Sequence, residues 1–219
     1  MERIWIIGAG RFGKIALERL ASQSKDRRFL VVDSEAGNLT FETQSNVELR
    51  HEDGAAFLKR ELDQQHAPDW IIPALPVHLA ARWCLDEGGG LQVCRCMPPE
   101  GVESFLPNLI CGISGDLYVS IADFMCPDNC PEPADHCPMT GKKREENMSD
   151  KIRRMKIPGF KVLVLQSRQL APGVGGYRPE ELFGLRREVE EKTGKFLIAT
   201  ACRCHGVITP VEARRSRSG

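Results

Sequence analysis

Short apolar runs alternate with amphipathic stretches along the first hundred residues of this chain. Ile4, Trp5, Ile6 and Ile7 form a strand-like run, and residues 14–21 follow at helical spacing through Ile15, Leu17 and Leu20. Phe29, Leu30, Val31 and Val32 make a second run, and residues 47–50 a short third. Residues 54–64 have helical spacing through Ala55, Phe57, Leu58 and Leu62. Trp70, Ile71 and Ile72 read as a buried strand that opens at Pro73. A helix over 77–85, ended by Gly88, Gly89 and Gly90, precedes another strand at 91–94. Strands alternating with helices predict an α/β fold with a doubly wound parallel sheet.

From Met97 the pattern changes. Met97, Pro98, Pro99 and Gly101 form a breaker cluster and mark a linker. Beyond it, residues 117–122, 160–165 and 196–201 read as strands. Residues 179–192 read as a helix with Pro179 in its first turn and Leu182, Phe183, Leu185 and Val189 on one face. The expected organisation is a nucleotide-binding domain over 1–98 and a smaller, cysteine-rich α+β domain over 99–219.

The first strand leads into Gly8, Ala9, Gly10, Arg11, Phe12 and Gly13, a G-x-G-x-x-G followed by a helix. Asp33 ends the second run twenty residues after Gly13. This is the dinucleotide-binding turn of a Rossmann-like sheet. Gly8 permits the tight turn, Gly10 admits the pyrophosphate and Gly13 allows close helix–strand packing. The phosphates would meet unpaired N–H groups at the helix start, with Arg11 and Phe12 alongside. Asp33 would accept hydrogen bonds from ribose hydroxyls and repel a 2′-phosphate, which favours NAD(H) over NADP; Arg11 and Arg28 pull weakly the other way. In open α/β sheets the carboxyl edge borders the ligand crevice. Pro76 and His78 follow the fourth strand there, so His78 either faces the nicotinamide as an acid/base or lies on the surface of its helix.

Lys plus Arg and Asp plus Glu each number 30, so a net charge of zero offers no argument for nucleic acid as a partner. Lys142, Lys143 and Arg144, followed at once by Glu145 and Glu146, read as a solvated surface, and Arg214, Arg215 and Arg217 as a frayed tail. No run approaches the length of a membrane helix, and the opening apolar run is too short for a signal-peptide core. A cytoplasmic protein is expected. Nine cysteines in such a chain point to metal or redox chemistry ahead of disulfides.

Cys126, Cys130 and Cys137 fall close together, each followed by proline, with His136 beside the last; Cys202, Cys204 and His205 follow the final predicted strand. Thiolates with imidazoles suit zinc or an iron–sulfur cluster. The spacing matches neither paired C-x2-C zinc ribbons nor the ferredoxin run, so cluster, zinc and redox thiols all stay open. Asp123 and Asp135 would orient ligands or cap turns. Cys84 and Cys111 read as small core residues, and Cys94 and Cys96 as a pair at a strand end. Gly173, Val174, Gly175 and Gly176, near Arg168 and Arg178, read as a mobile loop or an anion site.

Residues 6–13 with Val31, Val32 and Asp33 resemble the TrkA-N type of nucleotide-binding domain, which regulates potassium transporters and channels. That resemblance implies NAD(H) or adenine nucleotide bound as a switch, without chemistry. Residues 69–99 are similar instead to dehydrogenases of the glucose-fructose oxidoreductase type, which place a lysine before a proline where this chain has Cys96, Met97 and Pro98. Neither resemblance covers the cysteine half. Three readings follow. The first is a redox-responsive regulatory or binding protein with NAD(H) and a metal or redox site. The others are an NAD-dependent oxidoreductase using a cluster or redox thiols, and a potassium-transport regulatory subunit. A protein partner, an electron donor or acceptor, or a second copy of the chain would complete the assembly. With His78 the one acid/base candidate near the crevice, binding is favoured over catalysis.

Overall fold

The structure, a computed structural model, describes residues 1–41, 44–85 and 91–215. Gly88 to Gly90 and Arg217 lie outside the described residues. The chain is a mixed α/β protein. Its first sheet has four parallel strands: β1 (Glu2–Ile7), β2 (Arg27–Asp33), β3 (Val47–His51) and β4 (Trp70–Pro73), in the order β3-β2-β1-β4. Helix α1 (Arg11–Gln23) connects β1 to β2, α2 (Gly54–Glu61) lies between β3 and β4, and α3 (Leu79–Cys84) follows β4. The central strands β1, β2 and β4 carry continuous apolar stretches, Ile4 to Ile7, Phe29 to Val32 and Trp70 to Ile72, because both sheet faces are covered there, whereas the edge strand β3 is largely exposed. Ile4 and Ile6 pack against Ala16, Leu17 and Leu20 of α1. On the other face, Ile7 and Val32 join Phe57 and Leu58 of α2.

The second sheet is built from later residues: β5 (Leu91–Arg95), β6 (Ile110–Cys111), β7 (Leu117–Ser120), β8 (Phe160–Gln166), β11 (Gly194–Ala201) and β12 (His205–Arg215). Strand β12 pairs antiparallel with β11, β7 and β5, and β11 pairs parallel with β8. A two-stranded hairpin, β9 (Arg168–Ala171) and β10 (Val174–Gly176), lies beside β4 through an Ile71–Tyr177 bridge. Helix α4 (Met148–Arg154) covers one face of the second sheet, where Met148 and Ile152 meet Leu197, Ala199 and Ile208. Helix α5 (Pro179–Lys192) serves the other face through Leu182, Leu185 and Val189, against Phe196 and Ile198. The alternation of Phe196 and Ile198 with Leu197 and Ala199 is the period of two expected of a strand buried on both sides.

Two expectations change. The strand at 91–95 is present, but it pairs with β12 and does not extend the parallel sheet. One hydrophobic cluster holds Ile7, Val32, Ile71 and Trp83 together with Leu165, Phe196 and Val211. Arg214 and Arg215 are no frayed tail. They end β12, the strand that ties β5, β7 and β11 together. Its polar and glycine residues, His205, Gly206, Thr209, Pro210 and Glu212, break up the apolar run that would have announced it. Among the described residues, no helix is long and apolar enough to cross a membrane.

Candidate functional site

The glycine turn is held by contacts that only glycine permits. Gly8 has φ of 110°, and a Cβ there would stand 2.4 Å from the carbonyl oxygen of Ala74. At Gly13 a Cβ would stand 2.0 Å from the carbonyl oxygen of Gly8. Gly10 differs: a Cβ would meet nothing within 4 Å. It is the N-cap of α1 with no side-chain cap, and the first turn carries no acidic residue. Among the described residues, space is thus open at Gly10, and the first turn of α1 supplies no carboxylate of its own to its N–H groups.

Asp33 lies under this turn. Its Oδ2 accepts the N–H of Ala9 at 2.6 Å, while Oδ1 accepts the N–H of Glu35 at 2.8 Å and the amide of Asn38 at 3.3 Å. Burial alone would raise its pKa. The hydrogen bonds from Ala9, Glu35 and Asn38 outweigh that and hold the carboxyl below its ordinary value. Asp33 thus shapes the glycine turn directly, with little surface left for a ribose. Arg28 pairs in register with Arg3 near the amino ends of the strands, opposite the turn, and Arg11 is engaged elsewhere.

Beside the turn lies a cavity of about 400 Å³. Phe12 of α1 forms part of its wall, together with Cys126, Cys130, Cys202, Cys204 and His205. Two separate stretches supply the sulfurs. Cys202, Arg203 and Cys204 form the turn between β11 and β12, where Cys202 Sγ accepts the N–H groups of Cys204 at 3.4 Å and His205 at 3.3 Å. The 126–130 loop docks on α1 and the β9–β10 hairpin. Arg19 Nη1 donates to the carbonyl of Asp128 at 2.8 Å, and Gln169 Nε2 and the N–H of Gly173 donate to the carbonyl of Cys130. Gly173, with φ of 68°, passes so close to Asp128 that a Cβ would overlap its carbonyl oxygen. Val174, Gly175 and Gly176 therefore belong to a docked strand, and the expected mobile loop or anion site is corrected. Arg168 pairs with Glu181, and Arg178 stacks over Trp70 at 4.0 Å from the ring centre.

Glu132 binds the two cysteine stretches together. It is buried with φ of 46°, a left-handed conformation that costs a residue bearing a Cβ. In return its Oε1 accepts the N–H groups of Arg203 at 2.8 Å and Cys204 at 3.2 Å. Arg144 closes the far side, donating to Cys204 Sγ at 2.6 Å and to the carbonyl of Pro133 at 3.0 Å. The solvated role expected for Arg144 is thus corrected, because the sulfur and carbonyls of these turns claim its guanidinium. Burial, then the nearby Glu132, pushes the Cys202 thiol up to about 12. Burial also raises Cys126 and Cys204 and lowers His205.

Cys137 does not line the cavity. It occupies its own turn, bonded to Lys142 and Gly141 through the backbone, and hydrogen bonds from Thr140 lower its thiol. His136, paired with Asp135 at 2.8 Å, and Asp123 are exposed or nearly so. Cys84 is buried as expected; Cys111 is exposed on β6, and Cys94 is exposed on β5. Among the described residues, no three His, Cys, Asp or Glu side chains close on a point that one ion could occupy.

His78 does not lie on the surface of its helix, and that alternative is corrected. The residue is 3% exposed, with Nδ1 2.7 Å from Thr209 Oγ1 and Nε2 2.9 Å from Thr200 Oγ1. Thr209 gives its hydroxyl proton to Asp116 at 2.5 Å, so its oxygen accepts from His78 Nδ1–H. Nε2 then carries the lone pair and accepts from Thr200. Arg95 completes the chain with two bonds to Asp116. Pro76 is exposed and shares with His78 the wall of a separate cavity of about 190 Å³.

The AF_1314_C family, described as the C-terminal domain of an uncharacterized protein, matches residues 70–214. The chain belongs to this family. A relative from Archaeoglobus fulgidus, described as an uncharacterized protein, is 30% identical over 224 residues, covering 94% of this chain and 98% of the relative. No solved structure matches the chain. The family match opens at β4 and runs through both cysteine stretches to the end of β12, so Cys126, Cys130, Glu132 and Cys202 to His205 all fall within it, whereas the glycine turn precedes it.

Proposed function

We propose that this protein binds NAD(H) at the Gly8–Gly13 turn and holds a thiolate-ligated metal centre in the adjoining cavity, coupling nucleotide binding to the state of that centre. The observation that carries the reading is the shared wall: Phe12 of the glycine turn lines the same cavity as Cys126, Cys130, Cys202 and Cys204. The strand order β3-β2-β1-β4 matches the first four strands of a Rossmann sheet, in which the first βα turn cradles pyrophosphate. The open space at Gly10 and the uncapped, acid-free start of α1 fit that ligand. Arg11 and Arg28 are directed away from Asp33, which favours NAD(H) over NADP.

The donor set fits soft metal chemistry. Four thiols and an imidazole suit iron–sulfur or zinc. The cavity they line has about 400 Å³, and among the described residues no three donors close on one point within it. Cys126, Cys130, Cys202 and Cys204 would hold a cluster and His205 would stand beside it; the centre would supply one-electron chemistry. Cys137 is set aside as a ligand. Reduced cysteines in this number also suit a cytoplasmic location.

The contiguity of the two sites favours a second reading, an oxidoreductase passing electrons between nicotinamide and the centre. The test is anaerobic purification, metal and sulfide analysis, a visible spectrum and calorimetric titration with NADH. The expected result is iron, acid-labile sulfide and saturable NADH binding; bleaching by NADH selects the oxidoreductase, and an unchanged spectrum the regulatory protein. Absence of both metal and NADH binding would refute the proposal, and Cys126→Ser with full metal content would refute the ligand set.

A further inference from the structure

Arg11 belongs to the glycine turn by sequence and to the cysteine loop by contact. It is the first residue of α1, next to the open space at Gly10, yet its guanidinium pairs with Asp128 in the middle of the 126–130 loop. The rest of that loop is fastened through its backbone: Arg19 and Gly173 hold Asp128 and Cys130, and Gln169 donates to Cys130. The Arg11–Asp128 pair is the contact between charged side chains that joins loop and turn, and the pair is solvent-facing, with side chains 72% and 36% exposed. A solvated ion pair of this kind is weak enough for another anion to displace.

We infer that Arg11 is shared between the two sites, as an electrostatic latch for which the dinucleotide pyrophosphate and Asp128 compete; this inference rests on the NAD(H) reading above. A pyrophosphate at the start of α1 draws the guanidinium away from Asp128 and places negative charge opposite that carboxylate. The loop then loses its side-chain tie at the mouth of the cysteine cavity while its backbone anchors stay. Linkage makes the effect reciprocal, so anything that tightens the Asp128 contact weakens dinucleotide binding by the same factor. The function of the latch is to let the cysteine cavity sense nucleotide without any residue moving through the core.

The test is anaerobic calorimetry with NADH on wild type, Asp128→Asn, Arg11→Gln and the double variant. A second readout is the iodoacetamide alkylation rate of Cys126 and Cys130 after chelator treatment, which frees the thiols of any bound metal, followed by peptide mass spectrometry. Asp128→Asn should tighten NADH binding about two- to fivefold, the size expected for removing one exposed competing pair. Arg11→Gln should weaken it, and in that background Asp128→Asn should tighten binding less than it does with Arg11 present. NADH should speed alkylation of the wild type and leave the already faster Asp128→Asn rate unchanged. Unaltered affinity in Asp128→Asn, the same tightening without Arg11, or alkylation indifferent to NADH would each overturn the latch while the NAD(H) reading stands. A wild type that binds no NADH would remove both.

Discussion

The chain His78–Thr209–Asp116 makes a prediction about pH that is independent of any ligand. Burial, and less strongly Arg95, lower the imidazole pKa from 6.5 to about 4, with Asp116 acting against them. The folded protein therefore keeps His78 neutral where the unfolded chain protonates it. Stability from this group is fully present above pH 6.5 and is lost as pH falls through that value towards 4. At pH 5 the unfolded histidine binds protons about 30-fold more favourably than the folded one, or roughly 2 kcal/mol, and the loss levels off near 3 kcal/mol at lower pH. Urea unfolding of wild type and His78→Gln at pH 7.5 and pH 5, under reducing conditions, isolates the effect, because other groups titrate in both proteins. The variant should be less stable at pH 7.5, having lost fixed bonds to Thr200 and Thr209, and should lose about 2 kcal/mol less on acidification. Equal acid losses in the two proteins would refute the assignment of His78 as a buried neutral tie.

Further substitutions probe the sites themselves. Gly13→Ala should destabilise the protein by about 3 kcal/mol, since its Cβ would meet backbone that cannot move aside, whereas Gly10→Ala should cost no more than about 1 kcal/mol and weaken NADH binding at least tenfold. Thermal melts and calorimetry check the pair, and equal melting points would contradict the close-packing argument. Glu132→Ala strands the N–H groups of Arg203 and Cys204, so it should cost about 2 kcal/mol and lower the bound metal per chain. Glu132→Gln, which keeps an acceptor oxygen, should retain more of both. Full metal content in Glu132→Ala would show that the cysteine turn needs no such clamp.

Much of the local structure was legible along the chain. The apolar runs at 3–7, 29–32 and 70–72 become parallel strands, and the helix at 179–192 has the bounds that its periodicity and Pro179 suggested. These signals are local, arising from side-chain periods of 2 and 3.6 and from the backbone demands of glycine and proline. The glycine turn is readable for the same reason, as Gly8 and Gly13 stand where a Cβ collides with neighbouring backbone. The Cys130-Pro131-Glu132-Pro133 segment also carried a hint, a carboxylate fixed between prolines among thiols, whose meaning required the β11–β12 turn to be in place.

What tertiary structure alone decided is pairing over long distances. Which strand lies beside β12, which sulfurs face one cavity and which carboxylate takes Arg11 depend on contacts between residues far apart in sequence, 71 positions for Glu132 with Arg203 and 117 for Arg11 with Asp128. Composition is silent about such contacts. His78 illustrates the limit: its place after β4 was readable, but its burial depends on Thr200 and Thr209 arriving from the far end of the chain. Asp33 illustrates the converse, for its spacing from the glycines was right, yet the fold turns its oxygens inward to the N–H groups of the turn. The residues specified a glycine turn and a set of thiols. The packing of the two sheets against one shared core put Phe12 and the cysteines on the same wall.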